Sequence, residues 1–246
     1  MVAVHTLEVL PTVDELNEAV GSAFLARLRT LIDEAGAASR INLAISGGAI
    51  TTSLLPSLLP FVGEADWSRV RVWLVDERYV PAGDEDRNDD QAWEGFFHAA
   101  SGVEFVRMPT SDVSAPGGGS LDAATAAFAN TWRELMGERS FDIALIGMGP
   151  DGHICSLFPG RIDMDESSPI LAIRNSPKPP PERITVSMHV MRACGEVWLT
   201  TAGSAKADAL GEAFAGASPL DLPVAGVLTP TTCVYLDEAA ASHIAR

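Results

Sequence analysis

Apolar and polar residues alternate along this chain in two patterns. The first is a short, nearly continuous apolar run that stops at a glycine or a charged residue. Runs of this kind are typical of strands that are buried on both faces of a parallel sheet. The pattern predicts eight strands, at Ile41–Ile45, Val70–Val75, Val103–Val106, Phe141–Ile146, Ile170–Ile173, Ile184–Ser187, Glu196–Thr201 and Thr232–Leu236.

The second pattern places apolar residues at helical spacing. Thr12 begins a capping box, and the apolar positions behind it recur every three or four residues up to Gly36. Ser120 is the expected cap of an alanine-rich helix that runs to Met136 and stops at Gly137. Three further helical segments are predicted, around Thr51–Leu59, at Asp89–Ala100 and from Ser204 onward.

Strands that alternate with helices predict an α/β fold, a Rossmann-like, mostly parallel sheet with helices on both faces. The polar segment from Val80 to Asn88 is predicted to be an exposed loop. Three consecutive glycines, Gly117 to Gly119, could separate two domains. The strands on either side of them fit one sheet, and we therefore predict a single domain over residues 1–246.

Chemically distinctive residues follow three of the predicted strands. Ser46-Gly47-Gly48 follows one, Asp76-Glu77-Arg78 another, and a loop from Gly147 to His153 a third. In a parallel sheet these strand ends share one edge, which is where open α/β sheets bind ligands. Glycine N–H groups ahead of a helix suit a phosphate or a carboxylate, although tight turns that bind nothing are equally common. Asp76, Glu77 and Arg78 are expected to face a substrate rather than to begin a solvated loop.

The glycine loop also fits a different function. Residues 147–152 match the dinucleotide fingerprint G-x-G-x-x-G after a strand, and Arg174 would then suit the 2′-phosphate of NADP. Two features weigh against this interpretation. Asp151 and His153 put a charge and a base where the pyrophosphate would meet a helix, and Pro159 shortens the helix that the fingerprint requires.

His153 is the candidate general base. Most histidines serve structure, but this one lies in a glycine loop two residues after Asp151, whose carboxylate could fix the imidazole tautomer and raise its basicity. A metal site is not expected, because no histidine pairing or Cys/His cluster surrounds it. Cys155 is interpreted as a small packed residue rather than a nucleophile.

Net charge limits the possible partners. The formal charge is −16 and the sequence pI about 4.6, so we expect neither a nucleic acid nor a membrane as partner. Three separated cysteines, no secretory signal and no long apolar run predict a cytoplasmic protein, a monomer or weak homo-oligomer. An anionic ligand would need local cations, for which Arg183 and Lys206 are the candidates.

Taken together, these motifs resemble a known family. SGG, DERYVP, GMGPDGHICSLFPG, and R-I-T followed by G-x-x-K span Ser46 to Lys206 and are similar to the 6-phosphogluconolactonase branch of the glucosamine-6-phosphate isomerase/6-phosphogluconolactonase family. Deaminases of that family carry a glutamate five residues after the loop histidine, where this chain has Phe158. The resemblance therefore implies a lactonase without a cofactor, acting on 6-phospho-D-glucono-1,5-lactone in the pentose phosphate pathway.

The resemblance also implies roles for individual residues. His153 would activate water, Asp151 would orient His153, and Arg78 would bind substrate and offset developing negative charge. The phosphate and the rest of the substrate would be held by the remaining candidates, namely Ser46, Gly47, Gly48, Asp76, Arg183 and Lys206.

Three departures from the family pattern leave the acid–base residues intact. Ala49 replaces the usual Ser or Thr, Arg87 precedes Asn88 where Ser is usual, and Ile154-Cys155 replaces Thr-Ala. Two other functions stay open from the sequence: an NADP-binding oxidoreductase, and a catalytically silent protein that binds a sugar phosphate.

Overall fold

A computed structural model describes residues 2–36, 39–115, 117–160 and 168–245. Two sheets organise this part of the chain. Seven parallel strands form the larger sheet, in the order β1-β10-β9-β6-β2-β3-β5, and three antiparallel strands form the smaller one, in the order β4-β8-β7. The strands are β1 (Thr6–Leu10), β2 (Ile41–Ile45), β3 (Val70–Leu74), β4 (Asp76–Arg78), β5 (Glu104–Val106), β6 (Ile143–Ile146), β7 (Ile170–Ile173), β8 (Arg183–Val186), β9 (Glu196–Thr201) and β10 (Thr232–Asp237).

Helices flank the parallel sheet, which confirms the predicted α/β class. The α-helices are α1 (Val13–Glu34), α2 (Leu55–Ser57), α3 (Asn88–Gly95), α4 (Leu121–Met136), α5 (Met188–Arg192) and α6 (Ala207–Phe214). A π-helix covers Ile50–Leu54, and 3₁₀ segments cover Leu59–Glu64, Trp67–Arg69, Phe97–Ala99, Ser204–Lys206, Pro223–Val227 and Ala240–His243. None of the helices in the described ranges has the length and apolar character needed to cross a bilayer.

Local sequence accounts for the two long helices. The Thr12 hydroxyl accepts a hydrogen bond from the Glu15 N–H and starts α1, as the capping box predicts. Ser120 caps α4 in the same way through the Ala123 N–H. The predicted helix at 51–59 is irregular because Pro56 has no N–H to donate. The chain begins this stretch as a π-helix, in which the Leu55 N–H donates to the Ile50 carbonyl.

One hydrophobic core runs from Leu16 on α1 to Ala240 near the carboxyl terminus. All residues of β2 and β6 are buried, as expected for the central strands of a parallel sheet. On the α4 face, the Trp73 ring packs edge-on against Phe128 and Trp132 and donates its indole N–H to Asn42. Aromatic contacts of this kind add about 0.5–1.5 kcal/mol each beyond the area they bury.

The fold departs from the sequence predictions in three places: two predictions were wrong and one strand was not predicted. The strands at Ile170 and Ile184 lie in the separate antiparallel sheet, where β4 also pairs with β8. The chain leaves the parallel sheet at Val75, whose carbonyl accepts the Val186 N–H and so joins the two sheets. Strand β1 was not predicted, because this edge strand is mostly exposed and shows no buried run.

The third difference concerns the segment from Val80 to Asn88. It was predicted to be an exposed loop, but its last two residues are buried. Arg87 and Asn88 are both 1% exposed. A buried arginine needs carboxylate partners, and these are supplied by its neighbours in sequence and in β4.

Candidate active site

A cavity of about 410 Å³ lies at the carboxyl edge of the parallel sheet. The loops after β2, β3, β6 and β9 line it, and these are four adjacent strands. Strand order reverses between β6 and β2: from β2 the chain adds strands toward β5, and from β6 it adds them toward β10. Ligands of open α/β sheets bind at such a switch point.

Nearly all the predicted site residues reach this cavity. Ser46, Gly47, Gly48, Asp76, Arg78, His153, Arg183 and Lys206 all line its wall. Asp151 is placed differently, since it contacts His153 instead of lining the wall. The structure therefore brings together residues that are up to 160 positions apart, from Ser46 to Lys206.

His153 and Asp151 form a hydrogen-bonded pair. The Nδ1 atom of His153 lies 2.5 Å from Oδ1 of Asp151. An ionised carboxylate only accepts hydrogen bonds, so Nδ1 carries the proton and Nε2 of the neutral imidazole is the basic nitrogen. Close packing fixes the ring, whose centroid lies 4.7 Å from that of the Phe158 ring.

The electrostatic surroundings keep this pair in its neutral-histidine form. Burial lowers the pKa of His153, the charge of Lys178 lowers it further, and the hydrogen bond to Asp151 opposes both. For Asp151, burial raises the pKa, but the hydrogen bond from His153 and the charges of His153 and Lys178 outweigh burial and lower it. Both directions favour an ionised carboxylate beside an uncharged imidazole, which is the state of a base ready to accept a proton.

The two glycine loops are joined across the switch point. The Ser46 hydroxyl accepts the Gly147 N–H at 3.0 Å, so this predicted ligand residue also has a structural role. Gly48 has a φ of +67°, a left-handed conformation that favours glycine. A Cβ on Gly47 would overlap the side-chain amide of Asn88. The chain therefore needs glycines here to turn and to pack closely against α3.

Alternation along β4 separates its three side chains. Asp76 and Arg78 line the cavity, whereas Glu77 is buried on the other side of the strand. Asp76 Oδ2 accepts the Ser156 hydroxyl at 2.6 Å and lies 3.9 Å from Nη1 of Arg183. Arg78 donates through Nη1 to the Asp86 carbonyl at 2.5 Å, while its buried Nε has no hydrogen-bond partner within the described ranges.

Glu77 stabilises the backbone next to the cavity without lining the cavity itself. Its carboxylate accepts the backbone N–H groups of Arg78, Asn88 and Asp89, each at 2.8 Å. Arg87 bridges the acids, since its Nη2 lies 2.7 Å from Asp89 and 3.8 Å from Glu77. This buried network fixes the start of α3 against β4.

Arg87→Met should lower the free energy of unfolding by about 3–5 kcal/mol, because buried Glu77 loses its cation and buried Asp89 keeps only the exposed Arg107, at 3.4 Å. Burial and the charge of Asp89 raise the pKa of Glu77 to about 7, against the opposing effect of Arg87. A protonated Glu77 does not need that cation. The loss should therefore be smaller near pH 5 and grow as pH rises through 7.

Urea unfolding of Arg87→Met at several pH values measures this effect. The matched control is Arg29→Met, which breaks the exposed Arg29–Glu64 pair and should cost less than about 1 kcal/mol. Equal losses in the two variants would contradict a structural role for the buried network.

Asn88 and Lys178 are residues of the cavity wall that sequence reasoning did not name as site candidates. Asn88 is buried, donates its amide to the Asp76 carbonyl at 3.0 Å and lines the cavity beside Gly47. Lys178 lines the cavity from the proline-rich turn, with Nζ 3.5 Å from Oδ1 of Asp151. Lys178 could have been predicted from the sequence, because it directly precedes three prolines and lies five residues before Arg183.

Four cations and one carboxylate line the described part of the cavity, despite the negative charge of the whole chain. The cations are Arg78, Lys178, Arg183 and Lys206. Burial and the charge of Lys178 lower the pKa of Lys206. Burial is the larger of these two causes, and the second shows that the cavity cations repel one another, which suits an anionic ligand.

The dinucleotide alternative lacks the helix it requires. Residues 147–160 are described without a helix, and Ile154 pairs with Leu157 in an isolated bridge. Arg174 forms an ion pair with Asp122 on α4, at 2.6 Å. In the described ranges, no three His, Cys, Asp or Glu side chains are grouped to hold a metal ion.

Comparison with known proteins assigns the family. The family profile described as Glucosamine-6-phosphate isomerases/6-phosphogluconolactonase matches residues 11–236. A Mycobacterium leprae protein named 6-phosphogluconolactonase is 37% identical over 237 residues, covering 92% of this chain and 94% of that protein. One from Streptomyces coelicolor with the same name is 35% identical over 242 residues, with 93% and 92% covered.

A solved structure agrees with the sequence matches. The crystal structure of a 6-phosphogluconolactonase from Shewanella baltica superposes with a TM-score of 0.81 and 25% identity, covering 96% of this chain and 99% of that one. The motifs, the parallel sheet with its cavity at the switch point, and these matches lead to one assignment. This chain belongs to the glucosamine-6-phosphate isomerase/6-phosphogluconolactonase family.

Proposed function

We propose that this chain hydrolyses 6-phospho-D-glucono-1,5-lactone to 6-phospho-D-gluconate, a step of the oxidative pentose phosphate pathway. The main supporting observation is the Asp151–His153 pair, held at 2.5 Å at the wall of a cavity rich in cations. The names of the similar Mycobacterium leprae and Streptomyces coelicolor proteins support the same activity.

His153 is the general base in this proposal. Its Nε2 takes a proton from water as the water oxygen attacks the lactone carbonyl. The resulting imidazolium is stabilised by Asp151 through Nδ1. It returns the proton to the ring oxygen as the bond from the carbonyl carbon to that oxygen breaks, leaving a carboxylic acid that ionises at neutral pH. No metal takes part in these steps, so the rate should be the same with and without a chelator.

Arg78 is proposed to stabilise the negative charge that develops on the carbonyl oxygen. Its guanidinium lines the cavity and is anchored through Nη1 to the Asp86 carbonyl. A donor fixed before the reaction starts lowers the barrier without having to reorganise. Asp76, across the cavity wall, is positioned by Ser156 to accept a hydrogen bond from a substrate hydroxyl.

The phosphate is proposed to lie against the loop of Gly47 and Gly48, with Arg183 and Lys206 as its cations. Arg183 also has a structural role, because Nη2 and Nε donate to carbonyls of the turn at 178–180. Lys206 is the cleaner test of phosphate binding, since no hydrogen bond within the described ranges occupies its side chain.

Lys206→Met should raise KM for the phosphorylated lactone about ten- to a hundredfold, because a charged hydrogen bond to phosphate is lost. Its kcat should change little, since the lost contact is made equally in the ground state and the transition state. Steady-state kinetics on the phosphorylated lactone and on unphosphorylated glucono-δ-lactone separate these effects. A similar KM increase on both substrates would contradict a phosphate site at Lys206.

We also propose that this protein acts in the cytoplasm. The cysteines are all unpaired and buried, which agrees with the cytoplasm as the site of action. A monomer or weak homo-oligomer is expected, and sedimentation at several protein concentrations would test it.

A further inference from the structure

The turn that carries Lys178 is held rigidly. Arg183, only 5% exposed, donates through Nη2 to the carbonyls of Lys178 and Pro179 at 3.0 and 3.2 Å, and through Nε to that of Pro180 at 3.2 Å. A buried guanidinium with several carbonyl acceptors fixes the backbone of the turn. The Lys178 side chain therefore starts from a defined position at the cavity.

Lys178 reaches the His153–Asp151 pair on its Nδ1 side. The Nζ atom lies 3.5 Å from Oδ1 of Asp151 and 3.4 Å from Nδ1 of His153. Because Nδ1 carries the proton donated to Asp151, it offers no lone pair to the ammonium. Lys178 and His153 thus share one carboxylate oxygen, and the ammonium and the ring are in contact without bonding to each other.

We propose that Lys178 is a positioning residue for the general base. Its ammonium holds Oδ1 of Asp151 where that oxygen accepts the Nδ1 proton, and its positive charge keeps His153 neutral until water transfers a proton to Nε2. This inference rests on the proposed function, in which His153 is the base. Lys178 acts through Asp151 and His153 rather than on the substrate.

Charges from several elements face His153. Asp151 and Asp76 favour the imidazolium, whereas Lys178 opposes it. Lys206, on the segment after β9, faces Lys178 and Asp151, and the remaining cavity cations are Arg78 and Arg183. Within the described ranges, Lys178 is the cation whose Nζ lies within 3.5 Å of both Oδ1 of Asp151 and Nδ1 of His153. Removing Lys178 takes away one of the two effects that lower the pKa of His153 and leaves only burial to oppose the carboxylates, so His153 becomes easier to protonate.

Lys178→Met tests this role because methionine matches the lysine side chain up to Cε and removes only the charged amine. The acid limb of kcat/KM between about pH 5 and pH 7.5 should move to higher pH, because more of the base is protonated at each pH. At about pH 5.5 the variant should be at least about threefold slower than wild type, and near pH 7.5 the gap should close. Lys178→Arg should restore the wild-type limb.

An NMR titration of the His153 imidazole measures its protonation directly, without substrate turnover. In Lys178→Met the midpoint should rise, and the rise should shrink at high ionic strength, because the lysine is 41% exposed. Arg29→Met is the control for net charge, since it removes one distant surface cation and should leave the midpoint where it is. If the midpoint rises in Lys178→Met but the wild type does not hydrolyse the lactone, the proposed function is overturned, while the effect of Lys178 on His153 stands.

Two results would overturn the inference. An unchanged acid limb and His153 midpoint in Lys178→Met would show that the ammonium does not act on the pair. The second result is a fall in kcat/KM that is equal at all pH values and arises from a higher KM. If this fall is absent with unphosphorylated glucono-δ-lactone, Lys178 is a phosphate ligand instead.

Discussion

His153→Gln is expected to lower kcat on 6-phospho-D-glucono-1,5-lactone by about 10²–10⁴-fold, the range that general-base catalysis supplies. Glutamine retains a donor toward Asp151 and fills much of the space beside Phe158, but it cannot accept a proton from water. KM should change less than kcat, since the proposed phosphate cations are untouched.

The chain provides a matched control for this substitution. His243 and Asp208 form a second histidine–aspartate pair, at 2.7 Å, on the exposed surface. His243→Gln should therefore retain wild-type kcat. Proton release from fresh lactone, corrected for spontaneous hydrolysis, measures both variants. Full activity in a folded His153→Gln would leave the family assignment intact and contradict the role of His153.

Gly149→Ala should lower kcat by about 10²-fold or more, although the substitution adds only a methyl group. A Cβ at this position would overlap Cε1 and Nδ1 of His153 and crowd Oδ1 of Asp151. The imidazole ring must then move away from the Asp151 carboxylate. A displacement of about 1 Å in a catalytic group lowers the rate by about 10²-fold. The φ of Gly149 does not require glycine, so the backbone can accept alanine.

Gly63→Ala is the control for Gly149→Ala. Gly63 has open space around its Cβ position and a backbone that tolerates alanine. Steady-state kinetics and thermal unfolding of both variants separate a displaced base from general destabilisation. Wild-type kcat in Gly149→Ala would show that the close approach of the glycine to the pair has no catalytic importance.

Much of the site was predictable because its signals are local. A buried strand followed by glycines or charges fixes where a loop begins, and parallel pairing brings such ends to one edge. This reasoning placed Gly48, Asp76 and His153 at one cavity without any knowledge of long-range contacts. The Thr12 cap was predictable for the same reason, because its partner lies only three residues away.

Other parts of the site depend on contacts that periodicity does not encode. The pairing of β4 with β8 sets Arg78 opposite Arg183, and an antiparallel partner about a hundred residues away leaves no local pattern. Lys178 was missed because the turn that presents it is fixed by the side chain of Arg183. Arg87 was taken for an exposed residue, since the carboxylates that allow its burial are brought together only by the fold.

The position of Phe158 bears on which branch of the family this chain represents. Its ring is buried between His153 and the guanidinium of Arg183, whose Cζ lies 6.0 Å from the ring centroid. In the resemblance drawn from the sequence, deaminases carry a glutamate at this position. A buried phenyl ring can neither donate nor accept a proton, so this site lacks the acid–base group associated with ring opening.

The most direct test of the proposed lactonase activity measures two reactions with the same wild-type preparation. One assay follows proton release from fresh 6-phospho-D-glucono-1,5-lactone, and the other follows ammonia release from glucosamine 6-phosphate. We expect lactone hydrolysis well above the spontaneous rate and no ammonia. Lactone loss at only the spontaneous rate by folded protein, or release of ammonia, would contradict this proposal.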